Sequence, residues 1–159
     1  MKTIFVLAFT ILCFTFSLSA QNISKNALGL RLGDNDGFGT EISYQRALSG
    51  NNRLEFDLGW RDGRDYSAFR LAGLYQWVHS LENAFNWFVG AGGGVASYEK
   101  KHTLNDENET GFFVAGNIGI EYAFEIPLLI SLDFRPELGF SDFTNDLGFD
   151  IGLGIRYQF

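Results

Sequence analysis

From Gln21 to the last residue, apolar and polar side chains alternate with a period of two. Leu28, Leu30 and Leu32 alternate with Gly29, Arg31 and Gly33, and Thr40, Ile42 and Tyr44 alternate with Glu41, Ser43 and Gln45. Leu54, Phe56, Leu58 and Trp60 are set against Glu55, Asp57, Gly59 and Arg61. Phe69, Leu71, Tyr75 and Trp77 are set against Arg70, Ala72 and Gln76, with Leu74 as an exception. Phe85, Trp87, Val89 and Val95 then face a glycine-rich parity of Gly90, Gly92 and Gly94. Three further runs are the clearest. Phe112 to Phe124, Leu128 to Leu138 and Phe149 to Phe159 each keep apolar residues on one parity. Strict alternation predicts strands with one apolar face, and no stretch after Gln21 fits a helix better. The pattern therefore predicts eight antiparallel strands joined by hairpins, with no room for crossover helices.

The connections alternate in length. Ser49–Asn52, the stretch from Ser80 to Asn83, and Glu125–Pro127 are compact. Lys100 to Thr110 is long and polar, while Arg61–Asp65 and Ser141–Asp146 are intermediate. Asp34–Gly37 reads as a tight turn on the long-loop side. Short turns on one side and longer loops on the other are the asymmetry of outer-membrane barrels.

Residues 1–20 read as a secretory signal, leaving 21–159 as one barrel domain. Lys2 supplies a positive start, Ile4 to Phe16 is almost wholly apolar, and Ser17, Ser19 and Ala20 precede the expected cut. That run is short for a spanning helix, which takes roughly 20 residues. The one cysteine of the chain, Cys13, lies inside this segment, so the exported chain has no disulfide or thiol chemistry. The formal net charge of −7 argues against nucleic acid as a partner.

Alternation alone does not separate a membrane barrel from a soluble one whose apolar face points inward. Lysine use does. Beyond the first segment the lysines are Lys25, Lys100 and Lys101, none inside a predicted strand, whereas a solvated exterior carries many charges. Glycines 29, 59, 90, 92, 94, 119, 152 and 154 all share the polar parity, which suits a narrow filled interior. Aromatic residues including Tyr44, Trp60, Trp77, Trp87, Tyr122 and Phe124 gather on the apolar parity near strand ends, as membrane interfaces favour.

The expected lumen charge network is Arg31, Glu41, Glu55, Asp57, Arg61, Arg70, Glu121, Asp133, Arg135, Glu137, Asp150 and Arg156. Centring the first hairpin on Asp36 sets Arg31 opposite Glu41, with Asp150 reaching the same guanidinium across the closing seam. The same reasoning sets Asp57 beside Arg70 and Arg135 beside Asp150.

The signal peptide, the eight amphipathic strands and the ending Ile155-Arg156-Tyr157-Gln158-Phe159 resemble the OmpX-type and OmpA-transmembrane-type outer-membrane barrels. The resemblance covers residues 21–159 and is architectural. It implies an all-β, eight-stranded up-and-down transmembrane barrel in the bacterial outer membrane, monomeric and in contact with its lipid. It also implies that Tyr157 and Phe159 form a C-terminal assembly signal read by the barrel-insertion machinery.

Candidate chemistry is sparse. Some such barrels modify lipids with a histidine, a serine and a carboxylate near the outer rim. Here His79 falls at a short turn, and His102 lies in the longest loop near Ser97 and Glu99. A nucleophile needs its base within hydrogen-bond reach, and a loop histidine near a serine is common by chance. Gly90–Gly94 lacks dinucleotide spacing, and Asp34–Gly37 lacks the distal glutamate of a calcium loop. No cofactor, metal or catalytic residue is therefore expected. The acidic loop residues Asp34, Asp36, Asp106, Glu107, Glu109, Asp142 and Asp146 read as solubilising, or as a rim for divalent cations or a basic partner. The expected function is structural, with a narrow channel or surface adhesin as the alternative, and a lipid-modifying barrel or periplasmic carrier behind them.

Overall fold

The computed structural model describes residues 23–33, 39–62, 66–100, 108–140 and 147–159. The predicted signal segment, the Asp34–Gly37 turn and His102 lie outside the described residues, as do most of the acidic loop positions. Eight strands follow one another: β1 (Asn26–Leu32), β2 (Thr40–Ser49), β3 (Asn52–Asp62), β4 (Tyr66–Glu82), β5 (Phe85–Lys100), β6 (Asn108–Ala123), β7 (Leu128–Gly139) and β8 (Leu147–Gln158). Each pairs antiparallel with its neighbours in sequence, and β8 returns to pair with β1, closing the barrel. Reciprocal backbone bonds between Asn26 and Phe159, at 3.0 and 2.9 Å, finish that seam. Closure leaves no open edge, which is the condition for strands to cross hydrocarbon.

The period of two decides which side chains face each way. Leu28, Leu30, Ile42, Phe56, Phe69, Ile118, Leu132, Ile151 and Ile155 lie on the exposed outer surface. Arg31, Glu41, Asp57, Arg70, Asp133, Arg135 and Arg156 are buried inside. The surface is apolar and the interior charged, the reverse of a water-soluble barrel. Aromatic contacts mark the short-turn end of the wall. Tyr75 meets Trp77, Phe85 meets Tyr122 and Tyr122 meets Phe124 edge-on, with ring centroids 4.6–4.9 Å apart.

Leu74 is no break in the pattern. It keeps the inward parity of Arg70 and Gln76, is 1% exposed, and clusters with Ala72, Phe113 and Ala115. Val78, Phe88 and Leu129 are inward and buried as well. The lumen thus carries an apolar lining on β4–β6 beside its charges. Several strands also run further than the alternation suggested: β3 continues to Asp62, β4 to Glu82, and β6 begins at Asn108. The 17-residue β4 and 16-residue β5 and β6 exceed the roughly 9–11 residues that span hydrocarbon. Asn83 takes φ 53° in the turn between β4 and β5, a left-handed conformation that asparagine tolerates.

The β6–β7 ladder is interrupted. Between β6 and β7 the register runs from Ala115–Glu137 to Ile118–Phe134 without the two intervening pairs. Pro136 stands in that gap, without an N–H to donate, and its ring lies beside Gly116.

Closure across eight hairpin-linked strands makes unfolding all-or-none. On a detergent gel the unheated protein should migrate apart from the boiled one, with strand and almost no helix by circular dichroism. Identical migration would mean an open sheet.

Candidate functional site

Among the described residues, five guanidinium groups hold the interior, one from each of β1, β3, β4, β7 and β8. Arg31, 1% exposed, is the most heavily bonded. Its Nη1 donates to Glu41 at 3.2 Å and to Asp150 at 2.6 Å, while Nε and Nη2 donate to Asp133 at 3.0 and 2.6 Å. The register sets Arg31 directly opposite Glu41 and Gly154. Space for the guanidinium comes from Gly152, where an added Cβ would overlap its Cζ and nitrogens.

Arg135 reaches across the lumen to Asp57, to Glu41 at 3.4 Å and to Glu55 at 3.5 Å. Arg156 donates to Glu55 at 3.2 Å, Ser131 at 2.7 Å and Ser43 at 2.9 Å. Arg70 pairs with Glu137, lies 3.6 Å from Glu41, and sits 4.6 Å over the Phe113 ring. Arg53 lies 2.7 Å from Glu121, donates to Gln76 at 2.6 Å, and sits 4.9 Å over the Phe88 ring. Each of the last two guanidiniums has carboxylate on its edge and an aromatic face against its plane, a geometry lysine does not match.

These contacts join into one network. Glu41 touches Arg31, Arg70 and Arg135. Glu55 links Arg135 to Arg156. Gln76 donates to Asn117 at 2.7 Å, and Asn117 donates to Asp133 at 3.2 Å, which ties Arg53 back to Arg31. A buried charge is costly unless paired and hydrogen-bonded, and here each guanidinium has a carboxylate within reach.

The positions reasoned from the sequence sort as follows. Arg31 meets both Glu41 and Asp150. Arg135 stands opposite Asp150 in register, while its guanidinium turns toward β2 and β3. The pairing of Asp57 with Arg70 does not occur: Asp57 stands opposite Ala72 and is held by Arg135, and Arg70 stands opposite Gly59. Adjacency along one hairpin was the wrong criterion, because long side chains in a narrow tube reach the facing wall. Arg53 was missed, although it shares the odd parity of Glu55 and Asp57. The side chain of Arg61 lies outside the described residues. Tyr157 and Phe159 point outward with stacked rings 6.1 Å apart. His79 is exposed and stacks on Trp87 at 4.6 Å. Among the described residues, no His, Cys, Asp or Glu group is disposed to hold a metal.

Neither a protein-family model nor a curated protein sequence matches the chain. Solved structures do match. The N-terminal β-barrel domain of Pseudomonas aeruginosa OprF aligns with TM-score 0.68 at 11% identity, over 86% of this chain and 98% of that one. Ail, the attachment invasion locus protein of Yersinia pestis, aligns with TM-score 0.60 at 14% identity, over 86% and 97%. Neisserial surface protein A aligns with TM-score 0.59 at 11% identity, over 84% and 94%. The chain has the eight-stranded outer-membrane barrel fold. At these identities the likeness lies in strand number, order and closure, so the side chains inside must be read on their own terms.

Replacing Arg31 by Leu strands Glu41, Asp133 and Asp150 without their shared cation. Breaking a buried pair costs about 3–5 kcal/mol, so urea titration of the folded barrel in vesicles should show a loss of that order. Lys100→Ala or Lys101→Ala, at positions the sequence places outside the lumen pattern, should stay within about 0.5 kcal/mol. Gly152→Ala should lower stability through the same guanidinium, and combining it with Arg31→Leu should cost less than the sum of the two changes.

Proposed function

We propose that this protein is a structural component of the bacterial outer membrane: a monomeric barrel, plugged by its own side chains, that presents its loops at the surface. The observation that carries this reading is the opposition of the two faces. The exterior is a belt of exposed Leu, Ile, Val and Phe, and the interior is one bonded network of charges. Eight strands enclose room for side chains and little else. In this reading residues 1–20 direct export, the last strand with Tyr157 and Phe159 is the segment the insertion machinery reads, and the protein performs no catalysis.

Fractionation should place the protein with outer-membrane vesicles, resistant to carbonate extraction, and mass measurement should find it starting at Gln21. In planar bilayers the folded barrel should give no steady conductance of porin size. A large, stable pore would replace the structural reading with that of a channel.

A further inference from the structure

Toward the short-turn end of β8, β1 and β2 the outward face changes in ordered steps. Ile155, Leu30 and Ile42 form an aliphatic rung, and Tyr157, Leu28 and Tyr44 form the next. On the rung after that, Asn26 stands between Phe159 and Arg46. Aromatic rings mark the boundary between hydrocarbon and headgroups, so Arg46 stands at headgroup depth. Among the residues with described side chains, Lys25 and Arg46 are the exposed lysine and arginine, and the other five arginines are buried in the lumen. Both lie at this one spot: the Lys25 carbonyl accepts from the N–H of Ala47, the residue after Arg46, at 3.0 Å. The guanidinium is held in place, because Asn26 Oδ1 accepts from Arg46 Nη1 at 2.7 Å and from the Tyr44 hydroxyl at 2.9 Å.

We infer that Arg46 and Lys25 bind the phosphate of an anionic phospholipid in the leaflet at the short-turn end, and the inference rests on the membrane reading above. The chain as a whole has a net charge of −7, and this spot reverses its sign. Of the residues outside the described ones, only 1–22 join the barrel at this end, and they include no Asp or Glu. The other such stretches connect strands at the opposite end. Glu82 ends β4 and Glu125 follows β6, each separated from the β1–β2 pair by at least one strand. A carboxylate ending the chain at Phe159 sets one negative charge against two positive ones. A guanidinium and an ammonium donate only, so their ligand must accept, and their charge favours an anion. A phosphodiester does both, and the guanidinium fork matches two of its oxygens. A sugar hydroxyl accepts but brings no charge. A phosphatidylethanolamine headgroup offers the same phosphate but adds an ammonium, which Arg46 and Lys25 repel. A headgroup with net negative charge is therefore selected over a zwitterionic one. Position selects the lipid-borne form: a phosphate at Arg46 has its acyl chains along Leu28, Leu30 and Ile155.

The test uses the folded barrel, purified from outer membranes, in nanodiscs of equal parts phosphatidylethanolamine and phosphatidylglycerol, with retained lipid counted by native mass spectrometry. One cation at a membrane surface is worth about fivefold in holding an anionic lipid, so phosphatidylglycerol should be retained at least about fivefold over phosphatidylethanolamine. Arg46→Gln should lower that preference about fivefold, and Lys25→Gln should lower it in the same direction. Asn26→Asp keeps both cations but sets a carboxylate against the guanidinium, and should act as Arg46→Gln does. Should either variant fail to fold, the other carries the comparison. Glu125→Gln, which changes net charge by one unit at another turn, should leave the preference unchanged. An inserted, heat-modifiable barrel that retains both lipids equally, or keeps its preference in Arg46→Gln, overturns the inference and leaves the membrane reading standing. A preference that Glu125→Gln shifts as far as Arg46→Gln overturns the site in favour of overall charge. Displacement of the lipid by sodium phosphate at equal concentration would overturn the lipid-borne source. A chain that does not enter the nanodisc overturns both readings.

Discussion

A guanidinium buried inside a tube of eight strands is costly unless paired and hydrogen-bonded, so its position is set by where carboxylates can meet it. The rest of the interior follows from that constraint. Arg31 reaches Glu41 from β2, Asp133 from β7 and Asp150 from β8, so one side chain fixes three strands besides its own. The glycines on the inward parity are the complement of the arginines: at Gly152 and Gly154 an added Cβ would strike the guanidiniums of Arg31 and Arg156. Arginine and glycine together make a filled lumen from a charged one. A replacement of buried ion pairs by packed apolar groups is often neutral or stabilising, so the network is better understood as a device for register than as a source of stability. A one-residue slip would turn Arg31 toward lipid, where an arginine at mid-membrane costs about 2–4 kcal/mol.

The outer face obeys the opposite rule. Hydrocarbon imposes no penalty on Leu, Ile or Phe and offers no partner to a backbone N–H, so the wall is apolar in its side chains and complete in its ladders. A gap stands in the middle of the β6–β7 ladder, where Pro136 has no N–H to donate and its ring lies beside Gly116. The two faces are therefore specified by different physics, and the period of two lets one strand satisfy both.

The fold was legible because that period is local. β8, with Phe149, Ile151, Leu153 and Ile155 outward and Asp150, Gly152, Gly154 and Arg156 inward, declares itself residue by residue. The strand ends were less legible, since polar residues such as Asp62 and Asn108 continue a ladder without signalling it. Inside the lumen, parity named the charged positions but not their partners. Arg31 meets Glu41 because both lie on one hairpin, whereas Arg135 and Asp57 come from β7 and β3 and meet only because the sheet is rolled. The inward Leu74, Phe88 and Phe113 are apolar on the polar parity, which no alternation rule separates from an error in phase. Arg53, between the Ser49–Asn52 turn and Leu54, was left out of the expected network although Glu55 and Asp57 on its parity point inward.

The seam between β1 and β8 is the place where the chain's ends meet, from Asn26 with Phe159 through Leu32 with Leu153. Every other pairing joins strands adjacent in sequence and forms by zipping a hairpin. This pairing alone spans nearly the whole described chain, and the entropy of bringing such distant segments together must be met before any of its bonds can reward it. The seven hairpin pairings can therefore accumulate in steps, but the barrel comes into being in a single late event. Until then two strand edges stand open, and Arg31 on β1 lacks its partners Asp133 on β7 and Asp150 on β8. The interval before closure is the time when the chain is most exposed to pairing with the wrong partner, and the slowest step of its assembly is one that no individual hairpin can hasten.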